Sequence, residues 1–345
     1  MNQREHFLRN ASLQGHDYIP MRVTIAQDCY KEDPEAYSRI YRRYAHLFNP
    51  NEENAIRKAL RNPQWGQHRE WVDAWGCRWE KEEAGTNGLV TGCPLETWEN
   101  MEKWEPPVPP RITDEDCRRL AVSHEAGELT SFGVEHGFFF MRCYYLRGFE
   151  NYMMDVATEE PRLDELIEII ASYYESIFDG YLECGVPIDF VRAADDLGTQ
   201  QTSMLGPQYF ARYVAPTYAR LFHPMRKNGA HVYLHADGYL MDIMDQIIES
   251  GVSIINPQDR LNGVDALAEH VKGRICMSIA VDSQHTLPYG SPQDVRELIK
   301  EEVMKLGSPL GGLELVAPVY APTPVENVEA LCKAMTDYQH YWVGK

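Results

Sequence analysis

The chain of 345 residues lacks most of the features that assign a protein to a class at once. No apolar run approaches the roughly 20 residues of a membrane-spanning helix, so no membrane partner is expected. The opening MNQREHFLRN is polar and has no apolar core, which predicts no secretory leader. None of the eight cysteines forms a CxxC pair. Several fall in apolar stretches, where a thiol acts as a small hydrophobe. Together these absences predict a reduced, cytoplasmic protein. Positive charge is scarce: 33 Lys and Arg stand against 52 Asp and Glu, a formal net charge of −19. The densest cationic stretch, Arg39 with Arg42 and Arg43, is interrupted by tyrosines and reads as one face of a helix. A nucleic-acid partner is therefore not expected. The motifs GxGxxG, P-loop, GxSxG and HExxH are also absent. Nicotinamide dependence, nucleotide hydrolysis and serine hydrolysis lose their usual sequence support.

What is present is a repeated unit. Five times in the second half, a glycine leads into an apolar strand that ends on polar residues. Gly185 leads to Asp195 and Asp196, Gly229 to His235 and Asp237, and Gly251 to Gln258 and Asp259. Gly273 leads to Asp282, and Gly312 to Tyr320. Helix-like stretches lie between these strands. Strands alternating with helices make parallel sheets, because a parallel connection needs a long crossover. In a closed barrel the C-terminal strand ends form the working face. The expected fold is α/β, a (β/α)8 TIM barrel, and 44% hydrophobic residues suffice for its core.

The first half reads less regularly. A helix is predicted over 2–13, a strand over 19–25 and a helix over 34–47. Residues 49–110 form a Trp-rich, irregular insertion in what reads as a single domain over 1–345. Within it WVDAWGCRWE alternates like a strand, and a hairpin with GLVTGC is plausible. A helix follows over 111–127, and GFFFMRCYY (137–145) reads as a buried strand. Pro216 is expected to kink or divide the helix that Gly206-Pro207 opens. Ser291 and Thr323 are each expected to cap a helix that has proline in its first turn. Seven or eight barrel strands result, the one between Ile19 and Phe138 being the least defined.

His235-Ala236-Asp237 is the sharpest local feature. Residues i and i+2 at a strand end point to one side, so both side chains enter one pocket. There they serve as acid and base or as two metal ligands. The competing reading makes Asp237 the cap of a helix over 239–250. Asp195 and Asp196 point to opposite sides, so at most one faces the pocket. Asp196 is the candidate, with Thr199 and Gln200 as substrate hydrogen-bond partners. Gln258 and Asp282 are further candidates for substrate contact, with His285 after them. Tyr320 lies in APVYAP, where its hydroxyl can reach a substrate. Arg142 and Tyr144 share a face if 137–145 is a strand, and an arginine there suits an anionic oxygen.

DDLGTQ, GPQYFARYVAPTYARLF, GAHVYLHADGYLMDIMDQIIESGVSIINPQD, ICMSIAVD and PTPVENVEALCKAM together resemble the uroporphyrinogen decarboxylase superfamily. DAWGCRWE, CPLETWENME and YLRGFENYMMD add to the likeness, which covers nearly the whole chain. The resemblance implies a (β/α)8 barrel. It also implies one of two chemistries. True decarboxylases carry an arginine-rich N-terminal segment and a late histidine; here those places read IPMRVTIAQDCY and APVYAP. The other branch moves methyl groups to or from corrinoid proteins, in some members with zinc held by HxC and a later cysteine. Here HxC reads His235-Ala236-Asp237, and Tyr320 stands at the late position. Both thiolates are missing, while a zinc site at His235 and Asp237 stays open. The resemblance thus implies a methyltransferase acting with a partner's corrinoid (cobalamin-type) cofactor. The donors it implies are small molecules, a methoxylated aromatic as in an O-demethylase or a methylamine. His235, Asp237 and Tyr320 are the implied catalytic residues. A cofactor-independent decarboxylase and a non-catalytic binding barrel are the alternatives, and a homodimer is left open.

Overall fold

The computed structural model describes residues 2–61, 68–81 and 88–344. Its main sheet uses seven parallel strands: β1 Met21–Ile25, β5 Ser131–His136, β6 Phe190–Ala194, β7 His231–His235, β8 Ile254–Asn256, β9 Cys276–Ala280 and β10 Leu313–Val319. Their order is β1-β10-β9-β8-β7-β6-β5, the curled, helix-covered sheet of a TIM-type barrel. Among the described residues no eighth strand joins β1 to β5, so the expected ring is open there. Beside that gap Glu52 accepts hydrogen bonds from Ile25 N (3.0 Å) and the Tyr41 hydroxyl (3.0 Å). A carboxylate thus satisfies an amide that no neighbouring strand takes up.

The insertion is more ordered than its sequence implies. Strands β2 (Arg69–Val72), β3 (Arg78–Lys81) and β4 (Leu89–Gly92) form an antiparallel sheet. WVDAWGCRWE is therefore a hairpin by itself, turned where Asp73 accepts from Trp75 N and Cys77 N. The GLVTGC segment supplies the third strand.

Other expectations are corrected by particular contacts. GFFFMRCYY is not a strand; β5 ends before it, and Phe140–Arg147 is a helix. A short apolar run fits a buried strand or a buried helix equally well by periodicity. Here Asp195 decides, because its carboxylate accepts from Phe140 N (2.6 Å) and Met141 N (2.8 Å). Those amides are unsatisfied donors in the first turn of a helix. Arg142 and Tyr144 consequently lie on a helix, not at a strand end. The helix after His235 begins at Met244, so Asp237 does not cap it. Thr323 does not cap the last helix, Val325–Tyr338, whose N-cap is Pro324. Ser291 does cap Pro292–Leu306, in a capping box with Asp294. The helix expected to break near Pro216 is divided at Val214 into Pro207–Tyr213 and Ala215–Lys227. Cys117 and Cys184 are joined by a disulfide, which corrects the reading of all eight cysteines as thiols. No helix among the described residues is long and apolar enough to cross a membrane.

Alternation divides each barrel strand between core and interior. In β7, Val232 and Leu234 are fully buried against the helical layer, while Tyr233 and His235 face inward and are half-buried. Beneath the sheet the N-terminal helix Gln3–Ala11 packs Phe7 on Phe190 (5.2 Å between ring centres). Its Arg4 holds Asp189 in a two-pronged ion pair at 2.7 and 2.8 Å.

Asp195 is completely buried and also accepts from the Tyr218 hydroxyl at 2.9 Å. An amide in its place puts NH2 against at least one of these donors. Asp195→Asn is expected to lower stability by roughly 2–4 kcal/mol. Urea unfolding measures it, with Gln200→Ala in an exposed turn as a control that changes little.

Candidate active site

Six strand ends open on one cavity of about 660 Å³. His136 closes β5, Asp196 follows β6, and His235 and Asp237 end β7. Asn256 and Gln258 come from β8, Asp282 follows β9, and Tyr320 follows β10. The expected His235, Asp237, Asp196, Gln258, Asp282, Tyr320 and His285 are thus brought to one wall. Gln200, Arg142 and Tyr144 are not among its lining residues. Gln200 is exposed in the turn that follows Asp196. Arg142 is buried in an ion pair with Asp73 at 2.7 Å and stacks on Trp75. Tyr144 packs edge-on against Phe140 and Phe149.

The centre of the wall is a cluster of four. His136 Nε2 lies 3.3 Å from Asp196 Oδ1. His235 Nε2 lies 3.8 Å from Asp196 Oδ1 and 3.6 Å from Asp237 Oδ1. Asp237 N donates to Asp196 Oδ1 at 3.2 Å. The loops bearing these residues meet at Gly198 and Gly238. A Cβ on Gly238 would lie 2.2 Å from the Gly198 carbonyl carbon, and Gly238 has φ +90°, so only glycine fits. Gln258 accepts from Gly238 N at 3.1 Å and steadies the same turn.

Hydrogen bonding fixes the His235 tautomer. Asn256 donates its Nδ2 to the Ser278 carbonyl, so its Oδ1 faces His235 Nδ1 at 2.7 Å. Nδ1 must then carry the proton, and the Nε2 lone pair of the neutral ring points at the carboxylates. This is the arrangement by which a metal-binding imidazole is held from behind. Ligand atoms of His136, Asp196 and His235 all lie within 4.8 Å of one another. The set is nitrogen and oxygen only, which fits a borderline divalent ion such as zinc. It does not fit a thiol-activating zinc site, since Asp237 and Tyr320 offer no thiolate.

The charges are shared out by position. The hydrogen bond to Asp196 raises the pKa of His136 against its partial burial. Burial opposes ionisation of Asp196, but the bond and charge of His136 outweigh it and hold its pKa below the usual value. Burial, with the charge of Asp196, raises Asp237, while His235 opposes the rise. Asp282 is committed locally: it accepts from the amides of Gln284, His285 and Thr286. Tyr320 is 53% exposed, and burial of its hydroxyl and the charge of Asp237 keep it protonated.

Residues 72–338 match the uroporphyrinogen decarboxylase family. The chain belongs to that family. A methyltransferase from Methanosarcina mazei shares the fold, with a TM-score of 0.60 over 96% of this chain and 98% of that one, at 17% identity. A B12-independent methionine synthase from Shewanella sp. W3-18-1 aligns with a TM-score of 0.41 over 80% of this chain and 74% of its own, at 7% identity. No curated protein matches the chain.

Within this decarboxylase-family barrel, sequence reasoning missed His136, Asn256, Arg22 and Arg192. His136 was hidden because the strand was placed one segment too late; the signal was the polar end of SFGVEH before Gly137. In the metal-free protein, His136 is expected to titrate above its reference value of 6.5. Its raised pKa contributes stability below that value, which is lost as pH rises through the folded pKa. The lowered pKa of Asp196 contributes above its reference value of 3.8, lost as pH falls through its folded pKa. The pair therefore stabilises most between these two values. NMR titration should show the His136 midpoint falling in Asp196→Asn.

Proposed function

We propose that the chain is a methyltransferase that takes a methyl group from a small methoxylated donor and passes it to a corrinoid carried by a partner protein. The observation that carries this reading is the four-residue cluster at the mouth of the cavity. Family membership and the fold shared with a methyltransferase support it. In the reaction, cobalt(I) of the corrinoid is the substrate nucleophile. It bonds to the methyl carbon as the carbon–oxygen bond breaks, and the oxygen departs with that electron pair. The departing oxygen then needs a proton.

His136 is the group we assign to supply it. Its Nε2 sits beside Asp196, whose charge favours the imidazolium form. His235, with its Nδ1 proton tied to Asn256, turns Nε2 to the cavity, and we assign it to bind and orient the substrate, with Asp237 beside it. Tyr320, a protonated hydroxyl on the opposite strand end, is placed to donate a hydrogen bond to the substrate. A divalent ion held by His136, Asp196 and His235 would, when bound, take the place of the His136 proton and supply Lewis-acid help to the leaving oxygen. Decarboxylation of uroporphyrinogen fits less well. Asp196, Asp237 and Asp282 line the mouth and oppose a substrate bearing eight carboxylates.

Purified protein incubated anaerobically with cob(I)alamin and methoxybenzenes is expected to form methylcobalamin, followed by its visible spectrum. His136→Gln and His235→Ala should each slow transfer roughly 10²–10⁴-fold, with the circular dichroism unchanged. Stepwise loss of carboxylates from uroporphyrinogen, or unaltered transfer in both variants, would contradict the reading.

A further inference from the structure

We propose that Arg22 and Arg192 form a carboxylate-binding floor beneath the cluster, so that the substrate is a short organic acid with its anionic end on the arginines and its reacting end at His136, Asp196 and His235. Only the chemistry at the cluster end rests on the methyl-transfer reading; the floor rests on separate residues.

Arg22 sits in β1 between Met21 and Val23, both buried in the helical layer. Arg192 sits in β6 between Val191 and Ala193, both fully buried. Alternation therefore turns both guanidinium groups into the barrel, and both line the same cavity as the cluster. Barrels of this type normally fill that level with packed aliphatic side chains. Here two arginines are exposed to a hollow instead.

Their partners are few. Arg4, Arg142, Arg147 and Arg220 each form a close ion pair. Arg22 and Arg192 form none among the described residues. Arg192 lies over the Tyr233 ring, 5.6 Å from its centre. Glu314 is the acidic group near both arginines, and burial raises its pKa against their attraction. Even an ionised Glu314 offsets one of two cations. A positive floor in a chain of net charge −19, below an acidic rim, calls for an anion from outside. Arginine's planar fork matches a carboxylate by two parallel hydrogen bonds.

The spacing narrows the ligand. Arg192 is paired with Tyr233, two residues below His235 on the neighbouring strand. Two strand residues span about 7 Å. A benzene ring with para substituents bridges such a gap, its carboxylate below and its oxygen-bound methyl above. Below β6 to β9 the barrel is closed by the Gln3–Ala11 helix, with Phe7 on Phe190 and Ala11 on Ile254 and Cys276. The acid would enter from the mouth.

Calorimetric titration of the metal-free protein with 4-methoxybenzoate and with 4-methoxybenzamide tests the floor without any methyl transfer. Wild type should bind the acid at least tenfold more tightly than the amide. Arg22→Gln and Arg192→Gln should each weaken the acid roughly 10- to 100-fold, the amide little, with unchanged thermal midpoints. Equal affinity for acid and amide, binding of neither, or undiminished acid binding in the double variant would overturn the proposal. If the double variant does not fold, the acid-to-amide ratio of wild type decides. Acid preference without methyl transfer to cob(I)alamin would uphold the floor and remove the methyl-transfer reading.

Discussion

The site depends on the division of two adjacent carboxylates at the end of β6. Asp195 turns into the wall, where two backbone amides and the Tyr218 hydroxyl hold it. Asp196 turns the other way and takes up His136, His235 and the Asp237 amide. Extended backbone forces this opposition, so fixing one side chain aims the other. Asp195 also starts the Phe140–Arg147 helix just after His136 leaves β5. One buried anion thereby sets the positions of two strand ends and one helix.

The electrostatics follow from depth. The rim carries Asp196, Asp237 and Asp282, with Arg260 beside them; the middle carries two histidines; the floor carries Arg22 and Arg192. Such a gradient orients a ligand with one anionic end and one neutral end. It disfavours a polyanion, which would have to keep several charges near the acidic rim. The Asn256 hydrogen bond to His235 belongs to the same design, because it decides which ring nitrogen faces the ligand.

Much of this was legible in the sequence. The Gly–strand–polar units placed β6 to β10 correctly, and with them Asp196, His235, Asp237, Gln258, Asp282 and Tyr320. Period-2 alternation also separated Asp195 from Asp196. What escaped notice depended on tertiary contact. The run 137–145 is apolar throughout, and only the Asp195 carboxylate makes it a helix. That error displaced β5 and concealed His136, and it gave Arg142 and Tyr144 a place at the cavity that they do not have. Arg22 and Arg192 stand alone in apolar strands far apart in the sequence, so no local cluster announced them. The Cys117–Cys184 bond likewise joins the helix Asp114–Glu125 to the C-terminal cap of the helix Arg162–Glu183, an approach that no spacing reveals.

The central claim is that ends of β5, β6 and β7 build one nitrogen–oxygen centre. Titration of the protein with cobalt(II), read by its visible absorption, tests it most directly. The account predicts one equivalent bound, weak bands of nitrogen–oxygen ligation, and loss of binding in both His136→Gln and His235→Gln. An intense thiolate-to-metal band, or full binding retained without His136, would contradict it.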